Sequence, residues 1–219
     1  MKLLAFETAT EACSVALHVD GQVLERFEIA PRRHAELSLP WADALLAEAG
    51  ISRRQLDGIA LSRGPGAFTG VRLAIALAQG IALALDRPLL PVSTLQVLAL
   101  RAPAEERQIL SAIDARMGEL YVARFERVDG LPMPCDAERV CAPAAVALPD
   151  DLSVFGVGTG FGAAEGALVT QLGRACGGST PRRCRGHRTC WRWRCRPWHV
   201  ARASRRRGWN RPTCATTWP

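Results

Sequence analysis

The sequence predicts an α/β protein built from a repeated unit whose second copy is cut short. Three observations carry that reading. Residues 3–101 alternate strand and helix signals in the order β-β-β-α-β-α-β-α. A second strand meander opens near residue 108. Composition then changes abruptly at residues 173–174, before a second unit of the same length could finish.

Leu3 to Phe6 is a short apolar strand. From Cys13 to Val19 the residues Cys13, Val15, Leu17 and Val19 share one face, the period of a half-buried strand. Asp20-Gly21 is a hairpin signal, and Gln22 to Ala30 is the third strand of a meander. Helical spacing begins near Ala35, with Leu37, Trp41 and Leu45 on one side, Pro40 near its start and Gly50 as its stop. Ile59 to Ser62 is a strand, followed by the glycine-rich turn Arg63-Gly64-Pro65-Gly66-Ala67-Phe68-Thr69-Gly70-Val71-Arg72. Thr69 is the expected N-cap of the next helix, with Phe68 and Leu73 as its hydrophobic staple. That helix ends by Asp86-Arg87-Pro88. Leu89 to Val92 is a strand, and Ser93 or Thr94 caps a helix to about Arg101.

Ala102-Pro103-Ala104-Glu105-Glu106 reads as the break between lobes. Gln108 to Ile113 and Glu119 to Phe125 are strands around the turn Asp114 to Gly118, and Asp129-Gly130-Leu131-Pro132 ends that unit. Ser153 to Val157 is one more strand, with a glycine-rich Gly156-Val157-Gly158-Thr159-Gly160, and Ala163 to Leu172 begins a helix. The expected organisation is a first lobe over 1–102, a partial second lobe over 103–173 and an aberrant tail over 174–219.

With 219 residues, 48% apolar and 22% charged, the chain has the mix of a globular protein. Collagen-like, low-complexity and wholly disordered classes are excluded. Val71 to Leu85, the longest apolar stretch, reads as a core helix too short for a membrane span. An acid at Glu7 interrupts any signal-peptide core, so the expected location is the cytoplasm.

The charge of +7 conceals two regions. Residues 1–173 hold 15 basic and 21 acidic residues, net −6, whereas residues 174–219 hold 13 arginines and no acid, net +13. The tail also carries five of six tryptophans and five of eight cysteines, without helical or strand period. Three readings compete for it. One is a basic aromatic arm for nucleic acid. Another is a zinc site, although Cys184, Cys190 and Cys195 include no Cys-x-x-Cys. The third is translation out of frame: shifting the codons of residues 211–219 by two bases permits Thr-Tyr-Leu-Arg-Asp-Asn-Val-Ala.

For chemistry, the turn from Gly64 to Arg72 is the best candidate. Backbone N–H groups at a helix start with Arg72 suit an anion, through Gly64, Gly66, Thr69, Gly70 and Arg72. It lacks the P-loop Lys-Ser/Thr and misses the dinucleotide fingerprint by one residue, and a tight turn that lets the helix pack close to the sheet is the favoured reading of the glycines. The helix after it is apolar all round except Arg72 and Gln79, so it needs cover on every side, from a neighbouring helix or another subunit. His18 and His34 form no metal-helix motif, so no metal site is expected. His18 falls on the polar side of its strand and reads as solvated, and Cys13 reads as an inert buried thiol. Glu7 and Asp114 each follow a strand, as an acid–base or magnesium carboxylate does, and as a turn or cap residue does.

Several strings together resemble one family. They are Leu4-Ala5-Phe6-Glu7-Thr8-Ala9-Thr10, Ser62 to Arg72 with its Gly-Pro-Gly-x-Phe-Thr-Gly-x-Arg core, Pro91-Val92-Ser93-Thr94-Leu95, and Ile113-Asp114-Ala115-Arg116-Met117-Gly118-Glu119-Leu120-Tyr121. In order and spacing over residues 1–173 the chain resembles the TsaB (YeaZ) family of tRNA threonylcarbamoyladenosine biosynthesis. The resemblance implies an actin-like fold, of sugar kinase/Hsp70 type, with two RNase H-like lobes, the second truncated here. It implies a non-catalytic subunit with no cofactor, which pairs with a catalytic TsaD-like protein for modification of adenosine 37, alongside a TsaE-like ATPase. It meets tRNA indirectly through that complex, with no membrane. The same first-lobe helices form a homodimer. Here they are Ala35–Ala49 and Thr69–Leu85, which places Leu37, Trp41, Leu45, Val71, Leu73, Ile75, Leu77 and Ile81 at the interface. The family usually has Asp at the position of Glu7. It also commonly ends in Tyr-Leu-Arg-Asp-Asn-Val-Ala, the string the shifted frame permits. An actin-fold nucleotide enzyme using Glu7 and Asp114, and an RNA-binding protein using the tail, are the alternative functions.

Overall fold

The computed structural model describes residues 1–149 and 152–174. Apart from Arg174, the three readings of the tail lie outside these residues. The chain divides into two compact units. The first holds residues 1–63 and 68–92, and the second holds 64–67 and the described residues from Ser93 onward.

The first unit opens as the meander β1 (Lys2–Glu7), β2 (Ala12–Val19) and β3 (Gln22–Ile29). Asp20 (φ 47°) and Gly21 (φ 102°) make the tight hairpin between β2 and β3, both in the left-handed region a two-residue turn demands. Helix α1 (His34–Glu48), β4 (Gly58–Ser62), α2 (Phe68–Leu85) and β5 (Leu89–Val92) follow. The sheet order is β3-β2-β1-β4-β5. β1 is antiparallel to β2 and parallel to β4, which is parallel to β5. Leu4, Phe6, Val15, Leu17, Ile59 and Leu61 form one face of the sheet, and α1 and α2 bury Ala42, Leu45, Leu46, Ala74, Ala78 and Ala82 against it.

β2 is buried on both faces rather than one. Its polar face survives burial because its groups are paired. Ser14 Oγ donates to Glu25 Oε1 at 3.2 Å. His18, expected in solvent, is buried, with Nδ1 2.9 Å from the Met1 carbonyl and Nε2 accepting from the Gly21 N–H at 3.2 Å. The neutral ring with its proton on Nδ1 satisfies both bonds. Pro40 lies inside α1, not at its start, and cannot donate the bond the Glu36 carbonyl would take. α2 starts at Phe68, so Thr69 belongs to its first turn and is not the N-cap. Nor is Phe68 stapled to a core, since its ring is 72% exposed and carries the Arg72 guanidinium 3.4 Å from its centroid.

The second unit begins with α3 (Thr94–Ala99), where Ser93 Oγ accepts from the N–H groups of Leu95 (3.1 Å) and Gln96 (3.3 Å). Leu95, Leu98, Ala99 and Ala102 pack with Ile109, Ile113 and Phe125. The compact units therefore divide at residue 93, whereas the loop chemistry of 102–106 suggested 102/103. Strands β6 (Gln108–Arg116), β7 (Glu119–Val128), β8 (Leu131–Pro134), β9 (Arg139–Cys141) and β10 (Phe155–Val157) precede α4 (Ala167–Arg174). The order is β10-β6-β7-β8, with β9 also pairing β7. Asp129 (φ 49°) and Gly130 (φ 77°) turn the chain into β8 rather than ending the unit. The helix expected over 163–172 is broken, because Ala164 and Glu165 adopt left-handed conformations in a short 3-10 turn before α4.

The first sheet places its strands in the order third, second, first, fourth, fifth, that of an RNase H-like lobe. The second repeats third, second, first, fourth from β8, β7, β6 and β10. Two such sheets in one chain give the actin-like α/β plan.

Candidate functional site

The outward side of α1 and α2 is the main candidate. α2 buries only Gly70, Ala74, Ala78 and Ala82, a stripe at every fourth residue. Small residues let the helix settle close to the sheet. At Gly70 the approach is so tight that a Cβ would stand 2.0 Å from the Thr8 carbonyl oxygen. The larger residues Val71, Leu73, Ile75, Leu77 and Ile81 are each half-buried. Ile75, Leu77 and Ile81 lean on the core edge. Leu83 is 85% exposed. The 18 residues of α2 suffice by length and composition to cross a membrane, where the stretch counted from Val71 reads as too short. Here its small-residue stripe is seated on the sheet.

On α1, Leu37 and Trp41 are half-buried, but Leu45 is fully buried in the core and has no surface to offer. The spacing that grouped these three is one helical stripe, and only its C-terminal end, at Leu45, enters the core. Sequence reasoning missed Leu39, which is exposed, as well as Leu83 and Phe68. Placing the small-residue stripe of α2 inward would have found Leu83. Between α1 and α2 runs a groove of about 330 Å³. Leu39, Ala42 and Leu46 form one wall, Gly80, Ile81, Ala84 and Leu85 the other, with Leu4 and Leu56 also lining it. Asp43 and Arg53 also line the groove, joined by an ion pair at 2.6 Å.

The glycine-rich turn is divided. Gly64 and Gly66 belong to the second unit, and Thr69, Gly70 and Arg72 to the first. The Gly64 carbonyl accepts from the Thr94 N–H at 2.9 Å. The Gly70 carbonyl accepts from Thr8 Oγ1 at 2.7 Å. Gly70 is thus explained by packing, and Arg72 is stacked on Phe68.

Glu7 ends β1 and is completely buried. Its Oε1 accepts from the Ala9 N–H at 2.8 Å, while Oε2 has no partner. Burial pushes its pKa up to about 7, against the smaller opposing effects of Ala9 and the nearby Ser62 hydroxyl. The hydroxyl is close enough to be felt but closes no well-formed bond, so Ser62 Oγ is also unpartnered. Asp114 Oδ1 accepts from the Arg116 N–H at 2.8 Å, and Oδ2 lies 3.7 Å from Arg116 Nη1, so this carboxylate caps its own hairpin turn. Cys13 is buried 3.7 Å from Ser38 Oγ, and burial raises its thiol pKa, the opposite of an activated nucleophile. Among the described residues no three His, Cys, Asp or Glu side chains converge as a metal site would require.

The chain is similar to several known proteins. The family model described as "TsaD: tRNA N6-adenosine threonylcarbamoyltransferase" matches residues 27–152. The tRNA threonylcarbamoyladenosine biosynthesis protein TsaB of Escherichia coli is 47% identical over 58% of this chain and 56% of its own length. The TsaB of Haemophilus influenzae is 40% identical over 74% of each. The chain thus spans little more than half of the first relative and about three quarters of the second. The solved structure of YeaZ from Pseudomonas aeruginosa superposes with a TM-score of 0.70 at 48% identity, covering 74% of this chain and 77% of that one. With the repeated sheet order and the motifs of β1, the glycine-rich turn and the β6–β7 hairpin, these relatives establish that the chain belongs to the TsaB (YeaZ) family.

Proposed function

We propose that the chain is a non-catalytic subunit of threonylcarbamoyladenosine synthesis on tRNA. It docks a TsaD-like catalytic protein on the outward face of α1 and α2. The observation that carries this is the one-sided burial of α2, whose alanine stripe meets the sheet while its larger apolar side chains stay half-exposed or exposed. Exposed apolar surface on this scale fits a protein interface. The same face serves a homodimer when the partner is absent, and a TsaE-like ATPase joins the assembly. tRNA is met through the complex, in the cytoplasm.

The two strand-end carboxylates support an accessory role over a nucleotide enzyme. A completely buried Glu7 and an Asp114 committed to its own turn are poorly placed to hold a metal–phosphate. The test is size exclusion of the full chain mixed with a TsaD-like protein. Leu77→Asp or Val71→Asp is expected to lose the complex while each variant stays folded by circular dichroism. An unchanged elution profile overturns the proposal, as does threonylcarbamoyl transfer by the chain alone.

A further inference from the structure

We propose that Glu7 and Ser62 form a buried acid–hydroxyl pair whose ionisation loosens the seat of α2, so that the α1–α2 face responds to pH. The two residues end adjacent parallel strands, next in register after Phe6 and Leu61. Both are completely buried, and Glu7 Oε2 and Ser62 Oγ are both without a partner. The Ser62 hydroxyl favours the carboxylate form, but burial outweighs it and lifts the acid. A carboxylate there has no cation among the groups acting on it, which are its burial, the Ala9 N–H and the Ser62 hydroxyl.

Among the described residues no positive charge is an influence on Glu7. On β2, Ser14 faces Glu7 in register and donates to Glu25 of β3. Cys13, also on β2, feels the charges of Glu7 and Glu28, so its own titration opposes that of Glu7. On α1, Ser38 lies 3.7 Å from Cys13 and donates to the His34 carbonyl, and His34 has a buried Nε2 without a hydrogen-bond partner. On α2, Gly70 touches the residue after Glu7, and Arg72 lies over Phe68.

Thr8 links the pair to the helix. Its Oγ1 donates to the Gly70 carbonyl at 2.7 Å, and its own carbonyl presses on the Gly70 Cα with no room for a methyl group. A Glu7 carboxylate seeking water, its proton released to solvent, must displace the Glu7–Ala9 turn. That displacement moves the surface on which the first turn of α2 rests. The lift of the acid from 4.5 to about 7 places the change near neutral pH. The device acts on the seating of α2 and needs no partner.

The test is amide hydrogen exchange of residues 68–73 in the full chain, corrected for intrinsic rates, between about pH 6 and about pH 8.5. Protection in the wild-type protein is expected to fall about tenfold, since the ionised fraction of an acid titrating near 7 rises from about a tenth at pH 6 to nearly one at pH 8.5. Glu7→Gln is expected to stay flat. Equal slopes in the two proteins overturn the proposal. If Glu7→Gln does not fold, Ser62→Ala decides. Losing the hydroxyl removes an influence that lowers the acid, so the fall in protection must move to higher pH, and an unmoved midpoint overturns it. A carbon-13 carboxyl titration of Glu7 with a midpoint in the ordinary carboxylate range overturns it independently.

Discussion

The two units place their apolar residues differently on the same kind of sheet. In the second unit, all six residues of α3 are buried, Leu95, Leu98 and Ala99 against one side of the sheet, and Leu168 and Leu172 of α4 are buried on the other. In the first unit, α2 buries Ala74, Ala78 and Ala82 on the sheet, keeps its isoleucines half-buried and leaves Leu83 and Phe68 exposed. A helix that buries its smallest residues gains close approach and little transfer free energy, at roughly 25 cal/mol per Å². The large side chains then remain to be covered by something else. The difference teaches that hydrophobicity and burial must be read separately, since the most apolar helix among those described is the one most open on its outer side.

Each unit also carries one glycine pressed against a carbonyl at the same distance, and this is where the comparison breaks most sharply. A Cβ at Gly158 would stand 2.0 Å from the Ala112 oxygen, and Gly158 also has φ 112°. A Cβ at Gly70 meets the Thr8 oxygen at 2.0 Å, but in helical backbone. Gly158→Ala adds backbone strain to steric overlap and is expected to lose about 4 kcal/mol or more. Gly70→Ala lacks the strain and is expected to lose about 3 kcal/mol. Urea unfolding of both variants checks the order. A smaller loss at Gly158 contradicts it.

How much of this was legible beforehand differs by unit as well. The first unit's element order, the Asp20-Gly21 turn and the Ser93 cap follow directly from local chemistry. Glu7 and Asp114 were visible as strand-end carboxylates, but which one is buried depends on tertiary cover that no local pattern encodes. The same holds for Leu45, which shares a helical stripe with Trp41 yet sits where that stripe meets the sheet. The second unit was less legible. β8 and β9 are only four and three residues long, and two prolines in β8 mask a strand period. Ala164 and Glu165 take left-handed conformations that their identities disfavour, so the break before α4 has no sequence signal.

The next largest effect is the pH dependence of the first unit. Glu7 titrates near 7 in the fold and at about 4.5 when exposed, so between those values the native state holds more protons than the unfolded one. Stability is therefore fully present below about pH 4.5, declines as pH rises between 4.5 and about 7, and levels off above that once Glu7 is ionised in the fold as well. The loss contributed by this group reaches about 3 kcal/mol at pH 8. Glu7→Gln is expected to remove that slope in thermal or urea unfolding measured from pH 5 to 8. A wild-type stability that rises over this range with the same contribution from Glu7 contradicts the assignment.

Substitutions on the exposed side of α2 separate docking from folding. Leu83→Asp, at 85% exposure, is expected to change stability by less than about 0.5 kcal/mol. It is expected to weaken association with a TsaD-like partner or a second copy at least tenfold, read by sedimentation, because a charge is then buried in an apolar contact. The matching change in the second unit, Leu168→Asp, is expected to unfold that unit, since Leu168 is fully buried. Similar behaviour of the two variants erases the contrast between the units.

The smallest effect concerns the lining of the α1–α2 groove. Asp43 and Arg53 pair at 2.6 Å, yet both side chains are more than half exposed, so water screens the attraction and ordering two mobile side chains offsets much of it. Arg53→Ala is expected to cost less than about 0.5 kcal/mol in urea unfolding. Its value is in what it does to docking. If the groove receives an apolar side chain, losing Arg53 leaves the leucine and isoleucine walls in place and affinity changes little. If docking instead reads charge, Arg53→Ala and Asp43→Ala shift affinity in opposite directions while stability stays level, and salt titration of the wild-type complex shows a matching dependence.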